Sequence, residues 1–202
     1  MSNQISFNHL NTSSQADPGI EMKTMYDTIQ KYRQILDNTA QYRTQWAAST
    51  KTMIAGVLQE LLDEAKLPNA QVVLRENVEN LEAVVLDLGR TSSGITEKLD
   101  DSGVLRQMLK SNGSLFYQQL YNGKIIAMML RPFIEGYGQP QPPLNLEILR
   151  PDEINKSLIL RHLEIFFNDI TSWEDFDDDA QRSNIGFNPI GFHTSRESGE
   201  HS

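Results

Sequence analysis

The chain has 202 residues, 39% of them hydrophobic, enough for one respectable core, so a single domain with appendages is expected. Lys and Arg number 18 against 27 Asp and Glu, giving a formal charge of -9 and a pI near 4.9, and no basic patch offsets it; nucleic acid and anionic membrane are poor partners for such a surface. There is no cysteine, which excludes disulfides, thiolate nucleophiles and cysteine metal sites.

Residues 1–19 are rich in Asn, Ser, Gln and Thr, with Ile5, Phe7 and Leu10 as isolated apolar points. A disordered arm is expected there. The stretch has no basic n-region or apolar h-region, and no later segment reaches the ~18 apolar residues of a membrane span. A soluble, cytoplasmic protein is the expectation.

Asp17 and Pro18 form a helix-start signal, and helical periodicity then runs from Ile20 to Leu67. As one helix of about 48 residues it would be roughly 70 Å long. Met22, Met25, Ile29, Tyr32 and Leu36 follow alternating steps of three and four, the seam of an amphipathic or coiled-coil helix. The seam weakens between Asp37 and Thr52, where a break or a solvent-crossing stretch fits the polar composition. It returns from Met53 to Ala65 as a wide apolar face that should lie on a sheet. The first half has no obvious partner within the chain and is the candidate surface for self-association or for another protein.

Pro68 and Asn69 end the helix and the period changes. Val72–Leu74 and Leu81–Leu88 read as two strands of a hairpin. Ser102 reads as the N-cap of a short helix through Val104, Leu105, Met108 and Leu109, closed by Asn112 and Gly113. SLFYQQLY and KIIAMMLRPF flank Asn122-Gly123, the signature of a type I′ hairpin. Residues 136–143 form a Gly- and Pro-rich loop, Leu144–Leu149 a further strand, and Pro151–Trp173 a largely buried helix. The expected fold is α+β: a long N-terminal helix, then an antiparallel sheet of about five strands with helices on one face, in the order α-β-β-α-β-β-β-α. The domain would span 68–173, followed by a tail over 174–202.

Several stretches invite chemical readings. Gly89–Thr96 has the spacing of a phosphate-binding loop, but Ile95 stands where Lys supplies charge to the phosphates, so an ordinary loop or a weak anion-binding turn is the better reading. Asp175, Asp177 and Asp179 fit the first positions of a calcium loop, but Ala180 and Gly186 replace the turn glycine and the closing Glu, which argues against that site. Ile185, Phe187, Ile190 and Phe192, in NIGFNPIGFH, resemble either a docking peptide or a strap over the domain's own core. No nucleophile elbow, zinc motif or nicotinamide fingerprint appears, and His162 reads as a structural histidine. No catalytic residue, metal site or cofactor is therefore assigned.

Three functions remain in view. The foremost is a non-enzymatic assembly or adaptor protein, homo-oligomeric, binding protein partners through Met22, Met25, Ile29, Tyr32 and Leu36 and through Ile185, Phe187, Ile190 and Phe192. A chaperone-like client-binding protein is a more specific version. The third is a small-molecule sensor or enzyme with a pocket near Arg90, Arg131 and Glu135.

Overall fold

The computed structural model describes residues 18–99, 103–137 and 139–175. Residue contacts divide the chain into two units, Met1–Asn38 and Thr39–Ser202. In the first, every described residue is helical and belongs to α1 (Pro18–Gln45). Asp17 and the N-terminal arm lie outside the described residues.

The second unit begins within α1 and continues through a π-helical turn, Trp46–Thr50, into α2 (Lys51–Ala65). The turn is defined by the Lys51 N–H donating to the Trp46 carbonyl, five residues back. It has a packing consequence. Trp46, Thr50, Ile54, Leu58 and Leu62 are all buried, a strict repeat of four. In a pure α-helix each step of four advances the stripe by about 40° around the axis, because 3.6 residues make a turn. The wider π turn takes up part of that drift and keeps the early residues on the core side. The core face therefore starts at Trp46, earlier than Met53, and the weak seam of the middle stretch hides this turn.

Eight strands follow: β1 (Gln71–Arg75), β2 (Ala83–Asp87), β3 (Arg90–Leu99), β4 (Val104–Ser111), β5 (Ser114–Gln119), β6 (Ile125–Leu130), β7 (Phe133–Ile134) and β8 (Leu144–Leu149). A 3-10 turn, Pro151–Glu153, precedes α3 (Lys156–Glu174). Five strands form one antiparallel sheet in the order β1-β2-β5-β6-β8, and three form a second in the order β3-β4-β7. The α+β class and the five-stranded sheet are as expected.

Pairing register fixes the two faces of the large sheet. Val84, Tyr117, Ala127 and Glu147 lie directly across from one another, as do Leu86, Leu115 and Met129. These rows face a core closed by Ile54, Leu58 and Leu62 of α2 and by Ile159, Leu163, Phe166 and Ile170 of α3. On the other face Ala83, Val85 and Phe116 form a smaller cluster, with the Arg75 guanidinium 5.1 Å from the Phe116 ring.

Four local expectations are corrected. Residues 104–111 are a strand, not the helix closed by Asn112 and Gly113, and 90–99 are a strand rather than a loop. The reason is tertiary. β2 and β5 are already paired, and the ladder runs on through Leu88 N–H to Gly113 O (3.1 Å) and Asn112 N–H to Gly89 O (3.0 Å) into the β3–β4 pair. One long ribbon thus passes from the first sheet into the second, and pairing overrides the local helical pattern. Gly89 (φ +72) sits at the passage, where a Cβ would lie 2.5 Å from the Asn69 carbonyl oxygen.

The β5–β6 connection is a hairpin, but not type I′. Only Gly123, of the Asn122-Gly123 pair, has positive φ (76), and its N–H donates to Leu120 O at 2.8 Å. A turn over Leu120–Gly123 with a left-handed glycine fits a loop longer than two residues. Likewise α3 starts later than Pro151: the side chain of Asn155 accepts the Leu158 N–H at 3.0 Å and caps it.

Two contacts hold the helical segment on the sheet. Gly123 lies against the last turns of α1, where a Cβ would come 2.9 Å from Thr39 O and 2.8 Å from Tyr42 Cβ, while Arg43 donates to Tyr121 O at 2.7 Å. At the π turn, the Trp46 Nε1–H donates to Glu82 at 3.0 Å and Lys51 donates to Glu82 at 2.8 Å and Glu76 at 2.5 Å. The Lys51 hydrogen bond holds the Glu82 carboxyl below its usual range, burial opposes this, and the Trp46 bond reinforces it. A depressed carboxyl contributes stability that is complete above its unfolded value of about 4.5 and disappears as pH falls through the folded value.

Gly123→Ala should therefore destabilise the protein by roughly 1–3 kcal/mol, since it adds both strain and a backbone clash. Urea titration read by far-UV circular dichroism checks this. Glu82→Ala leaves the buried indole N–H without an acceptor and should cost roughly 1–3 kcal/mol at pH 7, with a smaller difference from the parent below pH 4. The measurement is the same titration at the two pH values.

Candidate functional site

Exposed apolar surface is the most prominent feature of the first unit. Met22, Met25, Tyr26, Ile29, Tyr32 and Leu36 are between 38% and 61% exposed, although large apolar side chains are ordinarily covered. Taking Met22 as position a of a heptad, Met25 and Tyr32 fall at d, Ile29 and Leu36 at a, and Tyr26 beside them at e. The opposite positions b, c and f carry Lys23, Thr24, Asp27, Gln30, Lys31, Gln34, Asp37 and Asn38. Every one is polar. Over this stretch the helix is thus two-faced, with Gln34 donating to Asn38 at 2.9 Å on the polar side. All five seam residues expected from the sequence are exposed, as is every residue from 22 to 37, and Tyr26 at e and Ile35 at g flank the seam. Ile185, Phe187, Ile190 and Phe192 lie outside the described residues.

The phosphate-loop resemblance of Gly89–Thr96 does not survive as an anion site. The Gly89 N–H donates to Asp87 at 3.0 Å, the Gly94 N–H to the Ser92 hydroxyl at 3.2 Å and the Ile95 N–H to the Ser93 hydroxyl at 3.1 Å. Amides that would cradle an anion are satisfied by the chain's own oxygens, one of them a carboxylate. Of the acidic residues 174–179, Glu174 ends α3 and pairs with Lys110 at 2.6 Å, Asp175 is the C-cap of that helix, and Asp177, Asp178 and Asp179 lie outside the described residues.

A cleft of about 200 Å³ is lined by Arg106, Gln107, Met108, Leu109, Glu135 and Gly136. Of the three residues expected to mark a pocket, Arg90 and Glu135 meet at 3.3 Å, but Arg131 turns to α3 instead. It donates to Asp169 at 2.6 and 2.8 Å and to Gln141 at 3.0 Å, a two-pronged pair that raises its pKa. The cleft's own Arg106 is paired with Glu97 at 2.6 Å. Its two charged lining residues, Arg106 and Glu135, are thus each paired with a neighbour outside the lining. Among the described residues no group of three or more His, Asp and Glu is placed to hold a metal.

A polar cluster missed at the level of sequence lies in the core. His162, on α3, is fully buried, and its Nδ1 is 3.1 Å from the Tyr117 hydroxyl on β5. Its Nε2 has no hydrogen-bond partner and lies 3.7 Å from Glu147 on β8, beyond hydrogen-bonding range. Glu147 is in turn paired with Arg161. One tautomer suits this arrangement: Nε2 carries the hydrogen toward the carboxylate and Nδ1 accepts from the phenol, since the reverse sets a lone pair against the carboxylate. Only the register of β5, β6 and β8 reveals the cluster, because 117, 147 and 162 have no spacing relation in sequence.

Comparison with protein-family models, with curated proteins and with solved structures returned no match. No helix among the described residues is long and apolar enough to cross a membrane.

Tyr117→Phe removes the donor to His162 Nδ1 and strands a buried imidazole nitrogen. A loss of roughly 1–3 kcal/mol is expected, read by urea denaturation at pH 7.5.

Proposed function

We propose that this chain is a non-enzymatic assembly or adaptor protein of the cytoplasm that self-associates through the Met22–Leu36 face of α1, the occupant of that face being a second copy. The observation that carries the reading is the two-faced helix itself, with six large apolar side chains exposed along a heptad seam and only polar residues opposite.

Area favours a second copy. At these exposures the six side chains present on the order of 700 Å² between them, close to the ~800 Å² that each partner buries in a stable interface. A seam read in heptads matches an identical helix in length and period without further adaptation. An enzymatic reading has less behind it, since the cleft's Arg106 and Glu135 are each held in ion pairs with Glu97 and Arg90 and the phosphate-loop amides are occupied.

Size-exclusion chromatography with light scattering tests the reading. The full chain should run at twice the 23.0 kDa monomer mass or a higher multiple. Ile29→Asp and Leu36→Asp, each placing a charge on the seam, should return it to 23.0 kDa with thermal unfolding of the sheet domain unchanged. A concentration-independent monomer before and after substitution rules out self-association through this face.

A further inference from the structure

We infer that the edge of β4 beside the cleft is a strand-addition site, and that its occupant is this chain's own C-terminal segment Ile185-Gly186-Phe187, laid antiparallel along residues 105–109. The edge is set by β7. It pairs with β4 only at Lys110 and Ser111, the Glu135 N–H then donates to Leu109 O at 2.8 Å, and a turn closed by the Tyr137 N–H on Ile134 O at 3.2 Å takes the chain away. In a ladder every second residue turns its backbone N–H and C=O to the same edge. Leu109 faces β7, so Gln107 and Leu105 face the side on which, among the described residues, no strand continues.

Such an edge accepts an extended segment, with main-chain bonds giving affinity and alternate side chains giving specificity. Apolar surface accompanies it. Leu105 is 64% exposed and Leu109 42%, and strand alternation puts both on one face. The cleft lies at the same place, lined by Arg106, Gln107, Met108 and Leu109 of β4 and by Glu135 and Gly136 where the chain departs. At about 200 Å³ it is smaller than the ~300 Å³ at which small-molecule sites begin, so it suits a side chain better than a cofactor.

The helix end selects the occupant. Glu174, the last residue of α3, is held by Lys110 of β4 at 2.6 Å, and the same ammonium lies 5.8 Å from the Trp173 ring. The chain therefore leaves α3 beside Leu109, at the base of the edge. Residues 176–184 separate Asp175 from Ile185 and reach roughly 30 Å when extended, against roughly 17 Å along β4 from Lys110 to Leu105. Length is ample. A segment running from Lys110 toward Leu105 travels opposite to β4, the sense that needs no crossover. Ile185 and Phe187, two apart, share a face and meet Leu109 and Leu105, while Gly186 sets no side chain over Arg106 and Met108. Pro189 has no N–H to donate and ends the pairing before Ile190. The site belongs to the second unit and is independent of the Met22–Leu36 face.

Hydrogen exchange of the full chain, read at the Leu105 and Gln107 amides, is the test, with the double substitution Ile185→Asp and Phe187→Asp as the comparison. Both amides should be protected in the parent, and in the variant they should exchange faster by about tenfold or more while β5 keeps its protection. Unprotected amides in the parent overturn the inference. Protection that the variant retains also overturns it, since another segment or another molecule then holds the edge. If β5 loses protection too, a second measurement decides. The chain has no cysteine, so Asn188→Cys carries a nitroxide at a single position. Isotope-enriched, spin-labelled chain diluted into excess unlabelled chain reports contacts within one copy. The amide resonances of residues 105–109 should broaden while those of β1 stay sharp, and sharp resonances at 105–109 overturn the assignment to the chain's own tail.

Discussion

Everything described in the second unit depends on closing one side of the five-stranded sheet. Val84, Leu86, Leu115, Tyr117, Ala127 and Met129 present a nearly unbroken apolar surface, and two helices cover it with Ile54, Leu58, Leu62, Ile159, Leu163 and Phe166. Sheets buried this way need side chains that project at the correct phase along each helix. For α3 that phase comes from steps of three and four between Ile159 and Ile170. For the first helical segment it comes from the π turn, which keeps Trp46 and Thr50 in line with Ile54 and places the indole N–H against Glu82. The Lys51 contacts with Glu76 and Glu82 then connect the turn to the segment between β1 and β2.

The same closure accounts for the polar cluster. A sheet row that ends in Glu147 at an edge strand brings a carboxylate to the margin of the core, where Arg161 meets it. His162 stands one residue along α3 and points inward, to a phenol whose burial raises its own pKa. Buried polar groups that are incompletely satisfied lower stability relative to an apolar packing of similar volume. Here they lie between β5, β8 and α3, in contrast to the apolar contacts between α2 and the sheet centre.

The exposed face of α1 is different in kind. Its side chains are apolar but uncovered, and the residues opposite them are uniformly polar, so the helix carries a pattern whose energetic return requires a partner.

Much of this was legible from residue order alone. Period-3.6 apolar spacing marked both faces of the helical stretch and the buried side of α3, and short apolar runs bounded by turn residues marked β1, β2, β5, β6 and β8, because burial imposes those patterns directly on the sequence. The α+β class followed from them. Four features needed the tertiary structure. Residues 104–111 carry a helix-like spacing yet are a strand, because the β2–β5 ladder continues into β3–β4 and supplies backbone partners. The π turn at Trp46 resembles a decayed seam, because one shifted hydrogen bond leaves no compositional mark. Arg131 turned to Asp169 and left Glu135 to Arg90, because pairing follows distance in space. His162 met Tyr117 and Glu147 only through strand register, which is decided by the packing of the whole sheet and by no single stretch of it.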